Sequence, residues 1–163
     1  MKKSFSFLLI LAMLLALIGC GNNKPNTSVT FYYPRNPRQS ANSSVETFYA
    51  TEKREHSNAQ DLRHFLTTYL QGPLGDDMVS PFPENTHLVD LEILDKQITI
   101  HLSEEFSKLS GIKLTTACAC LSLTAFGLTD AEKVTIISPA TGKTPAVEIT
   151  MSRADLVLTD TVT

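Results

Sequence analysis

The chain has 163 residues, 42% hydrophobic and 19% charged, with a formal net charge of −3. That length suits one compact domain and is too short for two ordinary ones. The acidic balance, with no basic stripe, argues against nucleic acid and against an electrostatic hold on anionic lipid. With no Trp and 7% aromatic residues, the core is expected to be mainly aliphatic.

The first residues read as a targeting signal. Lys2 and Lys3 precede an almost wholly apolar run from Phe5 to Leu17, and Leu17-Ile18-Gly19-Cys20 closes it. A small residue before Cys at the end of a short apolar run is the pattern of a bacterial lipoprotein signal. The run is shorter than the ~20 residues a membrane span needs, and polar sequence starts at once after Cys20. Residues 1–19 are therefore expected to be removed, leaving Cys20 lipidated, with two acyl chains giving a stable anchor where one does not. Loss of Lys2 and Lys3 leaves 12 basic against 17 acidic residues, a balance of −5. Residues 20–28, with Gly21, Asn22, Asn23 and Pro25, read as a tether. The expected location is the outer face of the bacterial cytoplasmic membrane.

Val29 to Tyr33 is β-branched and aromatic and stops at Pro34, so it reads as a strand. After a polar loop, Val45 to Arg54 alternates weakly and reads as an edge strand. Asn58 is placed to cap a helix whose apolar face is Leu62, Phe65, Leu66 and Tyr69, and Gly72-Pro73 ends it. A loop follows, Pro81-Phe82-Pro83-Glu84-Asn85-Thr86. Two period-two runs are joined at Asp95-Lys96, one presenting Val89, Leu91 and Ile93, the other Ile98, Ile100 and Leu102. This pattern predicts a hairpin with one buried face. Ser103 is positioned to cap a short turn through Glu104, Glu105 and Phe106. Leu114 to Phe126 reads as a second helix with Leu114, Ala117, Cys118, Leu121 and Ala125 along one stripe, ended by Gly127. Val134 to Ile137 and Ala146 to Met151 are the last strands, and residues 159–163 form a polar tail.

The order of helix, Gly72-Pro73, loop with Pro83-Glu84-Asn85-Thr86, hairpin and Leu102-Ser103-Glu104-Glu105-Phe106 resembles the GerMN domain of bacterial sporulation and spore-germination lipoproteins. The resemblance covers roughly residues 29 to 151. It implies a role in spore envelope assembly or germination and protein partners at the membrane, and it carries over no catalytic residues. This chain has one such domain where some family members have two. The element order gives an α+β fold, a two-layer sandwich in which a mainly antiparallel sheet carries two helices on one face, in a single domain over residues 29–158.

Groups that could carry chemistry have plainer structural accounts. Cys118 and Cys120, two apart on a helix, point to nearly opposite sides and cannot bridge, and they suit burial as small apolar residues. His56, His64, His87 and His101 show no metal-binding spacing. Asp76-Asp77 and Glu104-Glu105 raise a glycosidase-like carboxylate pair, and Ser103 a nucleophile, but neither has a sequence context that supplies the rest of a site. No cofactor or metal is expected. The sequence thus reads as a tethered, non-enzymatic interaction domain with an envelope protein as partner, and peptidoglycan as a further candidate. The alternative is a wall hydrolase or carbohydrate binder using the acidic loops. The contact is expected on the charged end of the second strand, at Lys53 and Arg54, or on the Pro-rich loop at Phe82.

Overall fold

A computed structural model describes residues 27–38, 49–56 and 61–156. The signal sequence, Cys20, Asn58, the first four residues of the expected second strand and the tail lie outside them. Strand β1 is Thr27–Pro34 and β2 is Tyr49–His56, paired antiparallel with Phe31 opposite Glu52. The last two residues assigned to the tether, Thr27 and Ser28, therefore belong to β1. Helix α1 is Leu62–Leu70. The hairpin β3 (Leu88–Leu94) and β4 (Gln97–Leu102) is followed by a 3₁₀ turn over Glu104–Lys108, and then by helix α2 (Gly111–Leu128). Strands β5 (Lys133–Ser138) and β6 (Val147–Ser152) and a single helical turn α3 (Arg153–Leu156) complete the order.

The α+β class stands, and pairing is mainly antiparallel. The strands divide between two sheets, β1-β2 and β3-β4-β5-β6. In the larger sheet β4 and β5 run parallel, joined by the α2 crossover, while β3 and β6 pair antiparallel on either side. A strand with unmade hydrogen bonds invites a neighbour. On β1, side chains fill that role at Tyr32: its N–H donates to Thr124 Oγ1 of α2 at 3.1 Å, and its carbonyl accepts from the Tyr69 hydroxyl of α1 at 2.6 Å. Both helices thereby bind β1 through polar atoms as well as apolar surface.

Helix α2 is more deeply enclosed than its expected stripe. Residues 117–122 and 124–126 are all buried except for the gap at Leu123. By length and composition it could cross a membrane, but its small residues, Ala117, Cys118, Ala119, Cys120 and Ala125, let it lie in the core against neighbouring backbone. Gly127 does not end it. The helix continues to Leu128, where the Arg153 guanidinium donates to the carbonyls of Phe126 and Thr129 at 2.8 Å each and, through Nε, to Ala131 at 2.8 Å. A cation on the last carbonyls of a helix satisfies both their hydrogen bonds and the helix dipole.

Two further expectations need correction. The cap of α1 is Asp61, whose carboxylate accepts from the His64 N–H at 2.8 Å; Asp61 sits directly before the helix, whereas Asn58 lies three residues further out. The apolar set on β3 is not a buried face. Val89 is 56% and Ile93 61% exposed and Leu91 is only partly buried, while Ile98 and Ile100, the β4 partners of Ile93 and Leu91, are fully buried. Leu88 pairs with Leu102 and Asp90 with His101, which leaves Val89 as the extra residue of a bulge on an outer strand.

The core is aliphatic beneath the four-stranded sheet, where Ile98, Ile100, Leu102, Leu121, Val134 and Ile136 meet. Between β1, α1 and the Pro-rich loop it is aromatic. Tyr33 stacks on Tyr69 at 4.7 Å, Phe82 stands edge-on to Tyr69 at 5.4 Å, and Phe106 follows Phe82 at 6.3 Å.

Candidate functional site

The residues expected to meet a partner occupy three different environments. Lys53 is exposed on β2. Arg54 is not free: its Nη2 donates to the Gly72 carbonyl at 2.7 Å, its Nε to the Glu52 carboxylate, and its guanidinium lies 5.0 Å from the centre of the Phe31 ring. The other oxygen of Glu52 accepts from the N–H of Leu74 at 2.7 Å and of Gly75 at 3.3 Å. The pair is a clamp, only 12% and 11% exposed, that fastens the loop after α1 onto β2. Phe82 is 9% exposed and belongs to the aromatic core. Of the loop that carries it, Glu84 and Asn85 face solvent.

Ser103, His87 and Glu105 come together at the end of the β3-β4 hairpin, where a hydrolytic site could be imagined. Their bonds are structural. The Ser103 N–H donates to the His87 carbonyl at 3.0 Å, and the Ser103 hydroxyl accepts from the His87 N–H at 3.2 Å. The Ser103 carbonyl accepts from Ser138 Oγ at 2.8 Å. The imidazole of His87 turns to its own loop, with Nδ1 2.9 Å from the Asn85 carbonyl. Hydrogen bonding from the Ser103 hydroxyl, then from its own backbone N–H, holds the Glu105 carboxyl below the usual carboxylate range. A nucleophile needs its hydroxyl against a base; here the imidazole is not among the partners of the Ser103 hydroxyl. The expected capping bond from the Ser103 side chain to the turn is also not formed.

The other acidic pair lies on a different loop. Asp77 offers its carbonyl to the Asn36 N–H at 2.8 Å, beyond the end of β1. Burial pushes the thiols of Cys118 and Cys120 up to about 12, which makes them poor nucleophiles. Among the described residues no group of three or more His, Cys, Asp or Glu could hold a metal.

Sequence reading did not single out the groove between the last turn of α1 and residues 80–88. It encloses about 600 Å³, with Thr67, Leu70 and Gln71 on the helical side and Phe82, Pro83 and Thr86 among the residues of the loop side. Its signal in the sequence is slight. Asn85 takes a positive φ of 66°, a conformation that Asn tolerates better than most residues, and nothing local reveals that α1 lies across from it.

The family profile described as "Germane: Sporulation and spore germination" matches residues 30–138. No curated protein matches the chain significantly. Among solved structures, the tandem GerMN domains of the sporulation protein GerM from Bacillus subtilis align at 17% identity and a TM-score of 0.53, over 80% of this chain and 46% of that one. The chain thus spans less than half the length of that relative. A Clostridium perfringens protein described only as a lipoprotein candidate aligns at 18% identity and a TM-score of 0.47, over 80% of this chain and 89% of its own. The profile covers most of the chain, and the chain belongs to the Germane family of sporulation and spore germination, as a GerMN-type domain.

Proposed function

We propose that the chain is a lipoprotein tethered through Cys20 to the outer face of the cytoplasmic membrane, whose domain works by binding an envelope partner in sporulation or germination rather than by catalysis. The observation that carries this reading is the state of Ser103: its backbone and hydroxyl are taken up by the His87 backbone, Ser138 and Glu105, with the His87 ring turned elsewhere. The lipobox-like ending at Cys20 supports the anchor. Exposed Lys53 is kept as a contact residue, with Arg54 beside it fixing β2 to the loop after α1, and Phe82 as the buried support of the Pro-rich loop.

The test is direct. The chain is purified from membranes, the mass of its N-terminal peptide is measured, and the protein is incubated with purified peptidoglycan. The expected result is a diacylglyceryl-modified Cys20 and no soluble wall fragments. An unmodified N-terminus beyond Cys20 removes the anchor, and released fragments remove the non-catalytic role.

A further inference from the structure

The groove beside α1 has a mostly uncharged lining. Its lining includes no Lys or Arg, and Glu84 is its one carboxylate. A site built for phosphate, teichoic or nucleotide groups would place cations there. The polar side chains are instead amides, hydroxyls and an imidazole: Gln71, Asn85, Thr67, Ser80 and His87. Leu70, Phe82, Pro83 and Leu88 give the apolar part of the lining. Its size lies within the range of small-molecule sites, roughly 300–1,000 Å³.

Thr86 adds an independent observation. It lines the groove, is 8% exposed, and its Oγ1 has no hydrogen-bond partner among the described residues. Buried hydroxyls are normally satisfied, and leaving one unpaired costs about 1–3 kcal/mol. The wall is meanwhile held in place: Thr86 N–H bonds the Pro83 carbonyl at 3.2 Å, and the His87 and Ser103 backbones are bonded as described. A fixed wall lowers the entropy lost on binding.

We infer that this groove is a binding site for an uncharged, N-acetylated saccharide. Sugar hydroxyls match the hydroxyl and amide side chains. An acetamido group fits further, since its N–H and carbonyl complement the Gln71 and Asn85 amides and its methyl suits Leu70 and Pro83. The inference concerns a ligand of the domain itself and does not depend on the lipid anchor or on a protein partner.

The full chain, held in a sugar-free detergent, is titrated with the tetramer of N-acetylglucosamine while backbone amide shifts are followed by NMR. The expected result is saturable shifts confined to residues 67–71 and 80–88, with the tetramer of glucose binding at least about tenfold more weakly. Gln71→Ala and His87→Ala, each with an unchanged melting temperature, weaken the acetylated ligand by about tenfold or more, while Lys133→Ala, at the start of β5 and outside the groove lining, does not. Absence of shifts at the groove, equal shifts from both tetramers, or shifts gathered on another surface overturns the inference.

Discussion

Arg54 holds the Gly72 carbonyl, the Glu52 carboxylate and the face of Phe31 at once. Truncating it leaves one oxygen of the largely buried Glu52 carboxylate, and the Gly72 carbonyl, without their Arg54 donor. Arg54→Ala is therefore expected to lower unfolding stability by about 1–3 kcal/mol, whereas Lys53→Ala, one residue away and exposed, changes it by less than about 0.5 kcal/mol. Urea titration of both variants checks the contrast. Tyr69→Phe removes the donor to the Tyr32 carbonyl and is expected to cost about 1–3 kcal/mol despite keeping the ring, read in the same titration. The thiols give a pH prediction. Burial raises Cys118 and Cys120 to about 12 from an ordinary 9.0, so between these values the unfolded chain releases protons that the folded chain keeps. Their contribution to stability is complete below pH 9 and declines as pH rises toward 12. Alkylation by iodoacetamide at pH 8 is expected only after denaturant has opened the core, and mass spectrometry of the native protein should find both thiols unmodified.

Helix α1 tests the link from periodicity to packing. Leu66 is fully buried and Thr67 exposed, so Leu66→Ala should cost about 2–5 kcal/mol and Thr67→Ala far less. Equal small changes in a denaturant titration would show that the face is misassigned. Much at this scale was readable in the sequence, because apolar spacing reports directly which side of an element prefers burial. What spacing does not report is whether anything covers that side. Val89 and Ile93 alternate like core residues yet stand exposed on an outer strand, since the cover would have to come from elements distant in sequence. The same limit hid the roles of Arg54 and Arg153, whose partners Gly72 and Phe126 lie 18 and 27 residues away. It also hid the groove, whose two sides come from α1 and from residues 80–88. The cap at Asp61 was missed for a smaller reason: Asn58 and Asp61 are both good caps, and only the backbone path decides between them.

For the whole molecule, the proposed anchor and the folded domain make separable claims. Cys20→Ala is expected to leave a precursor with its signal attached, visible as a higher mass in the membrane fraction, while circular dichroism and the melting temperature of the domain stay unchanged. Wild-type mass in the variant would remove the lipoprotein assignment without touching the family membership, which rests on residues 30–138.

The parallel pairing of β4 with β5 has a kinetic consequence. The antiparallel β3-β4 and β5-β6 pairs join strands near one another in sequence, so each can meet through a short loop. The β4-β5 seam must instead bring Ile100 to Ile136 across the whole α2 crossover. Closing a longer loop costs more entropy before any contact repays it, and chains dominated by such distant contacts fold slowly. During biosynthesis the hairpin carrying Val89, Ile93 and Leu94 is complete before β5 has been made, leaving buried positions of β4 such as Ile98 and Ile100 without their final neighbour. The interval before that seam closes is when this chain has most need of protection from association with other unfolded chains.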